Sequence, residues 1–411
     1  METEVRVYVD IDGVPYLAGR LWARVRKNRE SATFEYDEHW LAYKDRFSLE
    51  PALKLGPGPY HTGADKPVFG AMGDSAPDRW GRALMRRSER RRAERTGKSP
   101  RTLMEIDYLL MVNDETRQGA LRFATSEGGP FLAACDGVAV PPLMDLPKLL
   151  SAADHVLGDS DSEEDLRLLL APGSSLGGAR PKASVRDRDG SLAIAKFPRR
   201  DDETDSVRWE AVAMRLAGYA GLSVPEWRLE IIVDKPVLLS KRFDRTGGIR
   251  IPFLSAMSML DAVDKETRSY LEFVDALRQH GAAPGEDIRA LWRRIVFNIL
   301  ISNTDDHLRN HGFLYRGPDG WRLAPAYDLN PVPVDIKPRV LTTAIDLDDG
   351  TASLDLAMGV ADYFRLTVSE ARGIVAEVEG AVAKWRDVAS GLGLRAAEVD
   401  RMASAFEHND S

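Results

Sequence analysis

One cysteine, Cys135, is all that 411 residues contain. That excludes a disulfide framework and a cysteine-rich metal site, and it suits a reducing cytoplasm. Positive charge is in deficit: 56 Lys and Arg against 64 Asp and Glu leave a net charge of −8, so bulk electrostatics do not favour nucleic acid. Long apolar runs are missing as well. The longest, such as IVFNILI at 295–301, fall far below the ~20 residues needed to cross a bilayer. The start, METEVRVYVD, has neither a basic n-region nor an apolar h-region and predicts no signal peptide. No internal repeat is present. A soluble, cytoplasmic protein without membrane contact is the expectation.

What is there has the balance of a globular enzyme, 44% hydrophobic and 29% charged, with length for two or three domains. Residues 1–60 alternate apolar and polar, and Asp12-Gly13 between two such runs signals a hairpin. From Asp74 to about Arg95 the pattern turns helical and then basic, RRSERRRAERTGKSPR at 86–101. That run reads either as an anion or nucleic-acid contact or as a solvated helix face with interspersed glutamates. Residues 128–145 are rich in Gly and Pro and read as a linker, and 146–170 as helix broken by the acidic GDSDSEED. A glycine-rich turn, a strand at SLAIAKF and a helix from about Ser206 to Gly221 come next, then two strands joined at Asp234-Lys235-Pro236. From about Phe253 onward nearly everything reads as helix, except a hairpin in GFLYRGPDGWRLAP.

The stretch ISNTDDHLRNHGF at 301–313 concentrates two carboxylates, two carboxamides, two histidines and an arginine directly after an apolar helix. Phosphoryl transfer needs an aspartate to orient the attacking hydroxyl and accept its proton, and an amide and a second aspartate to hold Mg²⁺ on the phosphates. A kinase catalytic loop separates its base from its metal-binding asparagine by four residues. Asp305 and Asn310 have that separation and Asp306 does not. After the hairpin the chain returns at PAYDL, where Asp328 is placed as the second metal ligand. The bland alternative is a polar turn capped by Asn303, Thr304 and Asp305. A zinc site on His307 and His311 lacks further clustered ligands.

A nucleotide lobe would lie upstream. In SLAIAKF, Ile194 and Lys196 share one face, as the phosphate-bridging lysine of a kinase strand and its inward neighbour do. Glu210 on the next helix is either the glutamate that orients this lysine or a solvent-facing residue. Ahead of the strand, PGSSLGGARPKA is not a Walker A loop. Ser174, Ser175, Gly177 and Gly178 supply a loop whose N–H groups could cover phosphates, and Arg180 and Lys182 add positive charge. VLLSKRFDR ends a strand where a kinase has its hinge. Asp244 could there reach the ribose, or pair with Arg242 or Arg245.

These segments, with FGAMGDSAPDRWGR near the N-terminus, resemble the HipA family of serine/threonine kinases, the toxin halves of bacterial toxin–antitoxin pairs. The resemblance spans almost the whole chain, and NTDDHLRN is its most specific part. It implies an α+β fold, two-lobed and protein-kinase-like, with a β-rich N-terminal lobe and a mostly α-helical C-terminal lobe. The expected divisions are a β-rich subdomain at 1–127, a nucleotide-binding α/β lobe at 140–250 and a helical catalytic lobe at 251–411. ATP and Mg²⁺ would be the cofactors, with Asp305 the catalytic base, Asn310 and Asp328 the metal ligands, and Lys196 on the phosphates. Lys241 and Phe243 would meet adenine through their backbones. Ser175, or Ser174 beside it, would be autophosphorylated, switching the kinase off by repelling ATP and displacing the loop. The implied partners are a small helix-turn-helix antitoxin (HipB-like), through which operator DNA is contacted, and a protein substrate such as an aminoacyl-tRNA synthetase. Asp-x-His-x-x-Asn also resembles phosphoinositide-type kinases, which would act on a small-molecule or lipid hydroxyl. The remaining alternative is a pseudokinase scaffold for a DNA-binding partner.

Overall fold

The computed structural model describes residues 2–27, 29–133, 140–170, 178 and 180–408. They fall into two compact units, Met1–Asp201 with Glu230–Leu254, and Asp202–Leu229 with Ser255–Ser411.

The first unit begins with a five-stranded antiparallel sheet. Its order is Pro59–His61, Arg29–Tyr36, Val14–Arg26, Glu2–Ile11, Leu121–Ala124. The expected hairpin turns at Asp12 (φ 51°) and Gly13 (φ 83°). Both sit in the left-handed region that a two-residue turn of this twist demands. Val5, Val7 and Val9 alternate onto one face and are fully buried. Gly19 is required where the strands crowd, because a Cβ there would come within 2.6 Å of the Phe34 ring and 2.2 Å of the Glu35 carbonyl oxygen.

The basic run lies largely on the helix Arg79–Thr96, started by Asp78, whose carboxylate accepts the Gly81 N–H at 2.8 Å, and stopped by Gly97 at φ 63°. Several of its arginines are met by acidic residues. Arg87 pairs with Asp159 and with the buried Asp161, Arg91 donates to the Asp161 carbonyl, Arg92 pairs with Glu89 and Arg95 with Glu163. The acidic GDSDSEED stretch and the basic helix therefore neutralise one another across the sequence. This agrees with the solvated helix face with interspersed glutamates, where Glu89 pairs with Arg92, and adds counter-charge from the acidic stretch. The physical reason is that each stretch is locally repulsive and finds its counter-charge only when folded.

Beneath that helix, Trp80 and Leu84 join the helices Leu146–Leu157 and Glu163–Leu170 in one core with a second sheet. This sheet is ordered Lys182–Arg186, Leu192–Lys196, Lys235–Lys241, Trp227–Ile232. Ala193 and Ala195 face that core, so Ile194 and Lys196 point to the other side, as their period-2 spacing predicts. The turn into Lys235–Lys241 uses Val233 and Asp234, at φ 48° and 62°.

The second unit is mostly helical. Trp209 on the helix Ser206–Tyr219 packs against Trp385 and Phe406, with ring centroids 6.3 and 6.0 Å away, and Trp385 stacks on Phe406 at 4.6 Å. The central helix Pro284–Leu300 opens with Pro at its first turn and with Glu286 and Asp287 near its positive end. It buries Ile288, Leu291, Trp292, Ile295 and Ile299. One expectation fails: residues 324–353 contain no helix. The prolines of NPVPVDIKPRV deny the N–H groups a helix needs. The segment instead spends its polar groups on the loop that follows the central helix.

Candidate active site

The central helix ends in a motif that sets the loop's exit. Asn303 N–H donates to the Asn298 carbonyl at 2.9 Å and Ser302 N–H to that of Ile299 at 3.2 Å, the pair of bonds that closes a helix through a left-handed residue. That residue is usually glycine. Here it is Ser302 at φ 50°, buried, a strain of about 1 kcal/mol that surrounding structure must hold. Arg339 does so, donating to Ser302 Oγ at 3.2 Å and to the Ile299 carbonyl at 3.2 Å.

The two adjacent aspartates part company at this point. Asp305 is exposed and Asp306 is 1% exposed. Asp306 accepts the Tyr270 hydroxyl and the backbone N–H groups of Thr342 at 2.7 Å and Thr343 at 3.3 Å. Its own carbonyl accepts from Thr343 Oγ1 at 2.7 Å and lies 3.1 Å from His311 Nε2. On the other side of Asp305, the Thr304 carbonyl accepts from Lys337 Nζ at 2.9 Å and Thr342 Oγ1 at 2.8 Å. Both neighbours of Asp305 are thus tied to one distant segment while its carboxylate faces solvent. Tyr270, Lys337, Arg339, Thr342 and Thr343 carry no local sequence signal for this role.

Burial pushes the Asp306 carboxyl up to about 6, against ~4 for an unfolded aspartate. A raised folded value gives a contribution to stability that is complete below ~4 and is lost as pH rises through about 6. The unfolding free energy of the wild type, minus that of Asp306→Asn, should therefore fall by ~2–3 kcal/mol between those limits. Urea titrations at stepped pH measure it, and parallel profiles for the two proteins would contradict it.

Asn310 is buried. Its Nδ2 donates to the Asp305 carbonyl at 2.8 Å, which turns Oδ1 the other way, buried and without a hydrogen-bond partner among the described residues. Asp328 is half-buried at φ 57° in the segment after the hairpin Gly312–Tyr315 and Trp321–Leu323. The preceding Tyr327 donates its hydroxyl to the Arg309 carbonyl at 2.8 Å. The residues next to Asp328 and Asn310 are therefore bonded to one another. An orphaned amide oxygen and a carboxylate are hard donors of the kind Mg²⁺ takes. That ion binds through one or two protein oxygens plus substrate phosphates. Among the described residues no group of three or more His, Cys, Asp or Glu is placed to cage a metal, and His311 is buried against Tyr270 and Phe273.

In the first unit, Lys196 is half-buried at the end of its strand, registered opposite Leu238 and Lys182. Lys241 Nζ lies 3.2 Å from Asp189, and Phe243 is half-buried with its ring 6.3 Å from that of Phe253. Gly178 sits at φ 88°. Ser174, Ser175 and Gly177 lie outside the described residues. Two expected nucleotide contacts are committed elsewhere. Lys182 is 3% exposed with Nζ 2.7 Å from the Asp78 carboxylate, a buried pairing that takes it away from phosphates. Asp244 is 1% exposed and accepts two bonds from Arg242, one from Arg245 and one from the Gly119 N–H. It pins the chain just after the strand Lys235–Lys241 rather than offering itself to a ribose. In the second unit Glu210 is 5% exposed, which excludes the solvent-facing alternative for it.

Two family models match the sequence, one described as HipA-like C-terminal domain over residues 174–385 and one as HipA N-terminal domain over residues 15–112. The chain belongs to the HipA family. The HipA-like C-terminal match takes in Lys196, Asp244, Asp305, Asn310 and Asp328, and the HipA N-terminal match takes in the arginine helix. The curated protein "Putative kinase Y4mE" of Sinorhizobium fredii (strain NBRC 101917 / NGR234) is 25% identical over 341 residues, 76% of this chain and 75% of that one. A solved structure of the Shewanella oneidensis MR-1 toxin–antitoxin system, HipA with HipB and its operator DNA, matches with a TM-score of 0.68 at 16% identity. The match covers 98% of this chain and 95% of that one. The likeness to that HipA structure is one of fold, and the fold is the α+β, kinase-like one.

Proposed function

We propose that the chain is an ATP-dependent protein serine/threonine kinase of the toxin–antitoxin type. The observation that carries this is the Asp305 loop: an exposed carboxylate held between two fastened neighbours, five residues from a buried amide oxygen with no hydrogen-bond partner among the described residues. Such a carboxylate can orient a substrate hydroxyl and take its proton as the oxygen attacks the γ-phosphorus and the bond to the ADP oxygen breaks. Asn310 Oδ1 and Asp328 would hold Mg²⁺, which supplies neutralisation of the phosphate charge. Lys196 would bind the α- and β-phosphates, and the backbone at Lys241 and Phe243 the adenine. The division into residues 1–127, 140–250 and 251–411, with the nucleotide on the middle part, belongs to the same reading.

The HipA–HipB–operator complex matched by fold supports a small DNA-binding antitoxin as partner here. The acidic net charge and the paired arginine helix agree with DNA contact lying on the partner. Autophosphorylation at Ser175 or Ser174, and a translation component such as an aminoacyl-tRNA synthetase as substrate, complete the proposal.

The test is incubation of the purified protein with MgATP and a cell lysate, followed by mass spectrometry of phosphosites. Phosphoserine or phosphothreonine in lysate proteins and at Ser174 or Ser175 is the expected result. Label confined to lipids or small molecules would favour the phosphoinositide-kinase-like reading, and no incorporation together with no ATP binding would leave a scaffold.

A further inference from the structure

We propose that residues 334–349 form a docking platform for an extended polypeptide segment of the substrate, one that flanks the acceptor hydroxyl with apolar and basic side chains. This rests on the phosphoryl-transfer reading and adds to it the chemistry of the substrate.

Position is the first argument. The segment is fastened to both residues that bracket Asp305: Lys337 Nζ and Thr342 Oγ1 donate to the Thr304 carbonyl, and the Thr342 N–H donates to the Asp306 carboxylate. The segment is therefore fixed in place against the loop that carries the reacting carboxylate. The segment is also shaped, not loose. Val340 bridges Thr351 in antiparallel register, and Leu341 and Ile345 N–H groups donate to the Gly350 and Asp349 carbonyls at 2.7 Å each. Gly350 is needed for that closure, since a Cβ there would sit 2.6 Å from the Leu341 carbonyl oxygen.

Surface chemistry is the second. Thirteen large apolar side chains are exposed among the described residues, and four of them, Val334, Ile336, Val340 and Leu347, fall within these few positions. Leu347 is 73% exposed at φ 30°, a backbone conformation that a leucine adopts only under constraint. Exposed apolar side chains concentrated in so few positions of an ordered segment are what a binding face supplies.

Charge decides the occupant. Both cations of the segment, Lys337 and Arg339, are turned inward onto carbonyls and Ser302 Oγ. Asp335, Asp348 and Asp349 are exposed, and none of them has an ion-pair partner among the described residues. The outer face is thus apolar and acidic. It complements a segment bearing Leu, Ile or Val together with Lys or Arg, and it repels an acidic one.

A positional-scanning library of serine and threonine peptides, phosphorylated with MgATP, reads this out. The wild type should select aliphatic residues and Lys or Arg near the acceptor. Ile336→Asp with Val340→Asp should raise the peptide KM by ~10-fold or more, in line with the cost of losing apolar pocket contacts, while the KM for ATP stays unchanged. Asp335→Asn with Asp348→Asn should flatten the basic preference alone. All four positions are exposed, so these variants fold. Selection that is absent in the wild type, or unchanged in the variants, would overturn the proposal. So would phosphorylation of intact proteins but of no peptide, or variants that alter only self-association in sedimentation. A wild type that transfers no phosphate to any acceptor would instead overturn the kinase reading on which the proposal stands.

Discussion

Asp305→Asn is expected to reduce phosphoryl transfer by ~10²–10⁴-fold, the contribution of a positioned general base, with no measurable loss of stability. The fold should tolerate the change because the carboxylate is exposed, while the loop's geometry is carried by main-chain groups. The Asp305 carbonyl still accepts Asn310 Nδ2, and Thr304 and Asp306 keep their bonds to Lys337, Thr342 and Thr343. Asparagine has nearly the shape of aspartate but cannot take the proton of the attacking hydroxyl at neutral pH. Initial rates of phosphate incorporation, set beside urea unfolding of the same preparations, separate the two effects. A variant that keeps wild-type activity would remove Asp305 from the chemistry. One that loses stability and activity together would make it a structural residue.

Asp244→Ala should show the opposite signature, a destabilisation of ~3–5 kcal/mol, because removing one partner of a buried ion pair leaves the other charge uncompensated. Burial alone would raise the Asp244 carboxyl, but Arg242 and Arg245 hold it well below the usual carboxylate range. Deleting it strands both guanidiniums, of which Arg242 is fully buried and Arg245 nearly so. It also strands the Gly119 N–H, which has been donating at 2.8 Å. Some of the loss is cushioned, since Arg242 also donates to the Thr116 carbonyl and Arg245 to those of Arg117 and Gly119. The readout is the shift in urea midpoint of the variant against Asp244→Asn, which keeps the shape and part of the hydrogen bonding and should fall in between. A near-neutral alanine variant would show that the carbonyls satisfy the arginines by themselves.

Much of the architecture was legible because the signals are local. Asp12-Gly13 specifies its turn through the backbone conformations those two residues tolerate. Alternation in SLAIAKF divides Ala193 and Ala195 from Ile194 and Lys196. The five-residue step from Asp305 to Asn310 lets one side chain reach back to the other's carbonyl. Where the reading missed, the deciding partner was remote. The helix expected after Pro325 gave way to a segment whose hydrogen bonds go to residues ~35 positions earlier, as with Thr342 and Asp306. Lys182 resembles a ligand-binding residue in sequence and became a structural one because Asp78 arrives from far along the chain, whereas Asp244 took the pairing with Arg242 and Arg245 that its neighbours had already offered.

By itself the sequence determined where the first hairpin turns, how SLAIAKF divides its two faces, and which short stretch concentrates the polar groups that phosphoryl transfer requires. Only the tertiary structure decided which of two adjacent aspartates stays in water. The side chains of Asp305 and Asp306 are chemically the same, so nothing local distinguishes them. Burial against Tyr270, Thr342 and Thr343 turns one into a fastening, and leaves the other exposed between two held neighbours.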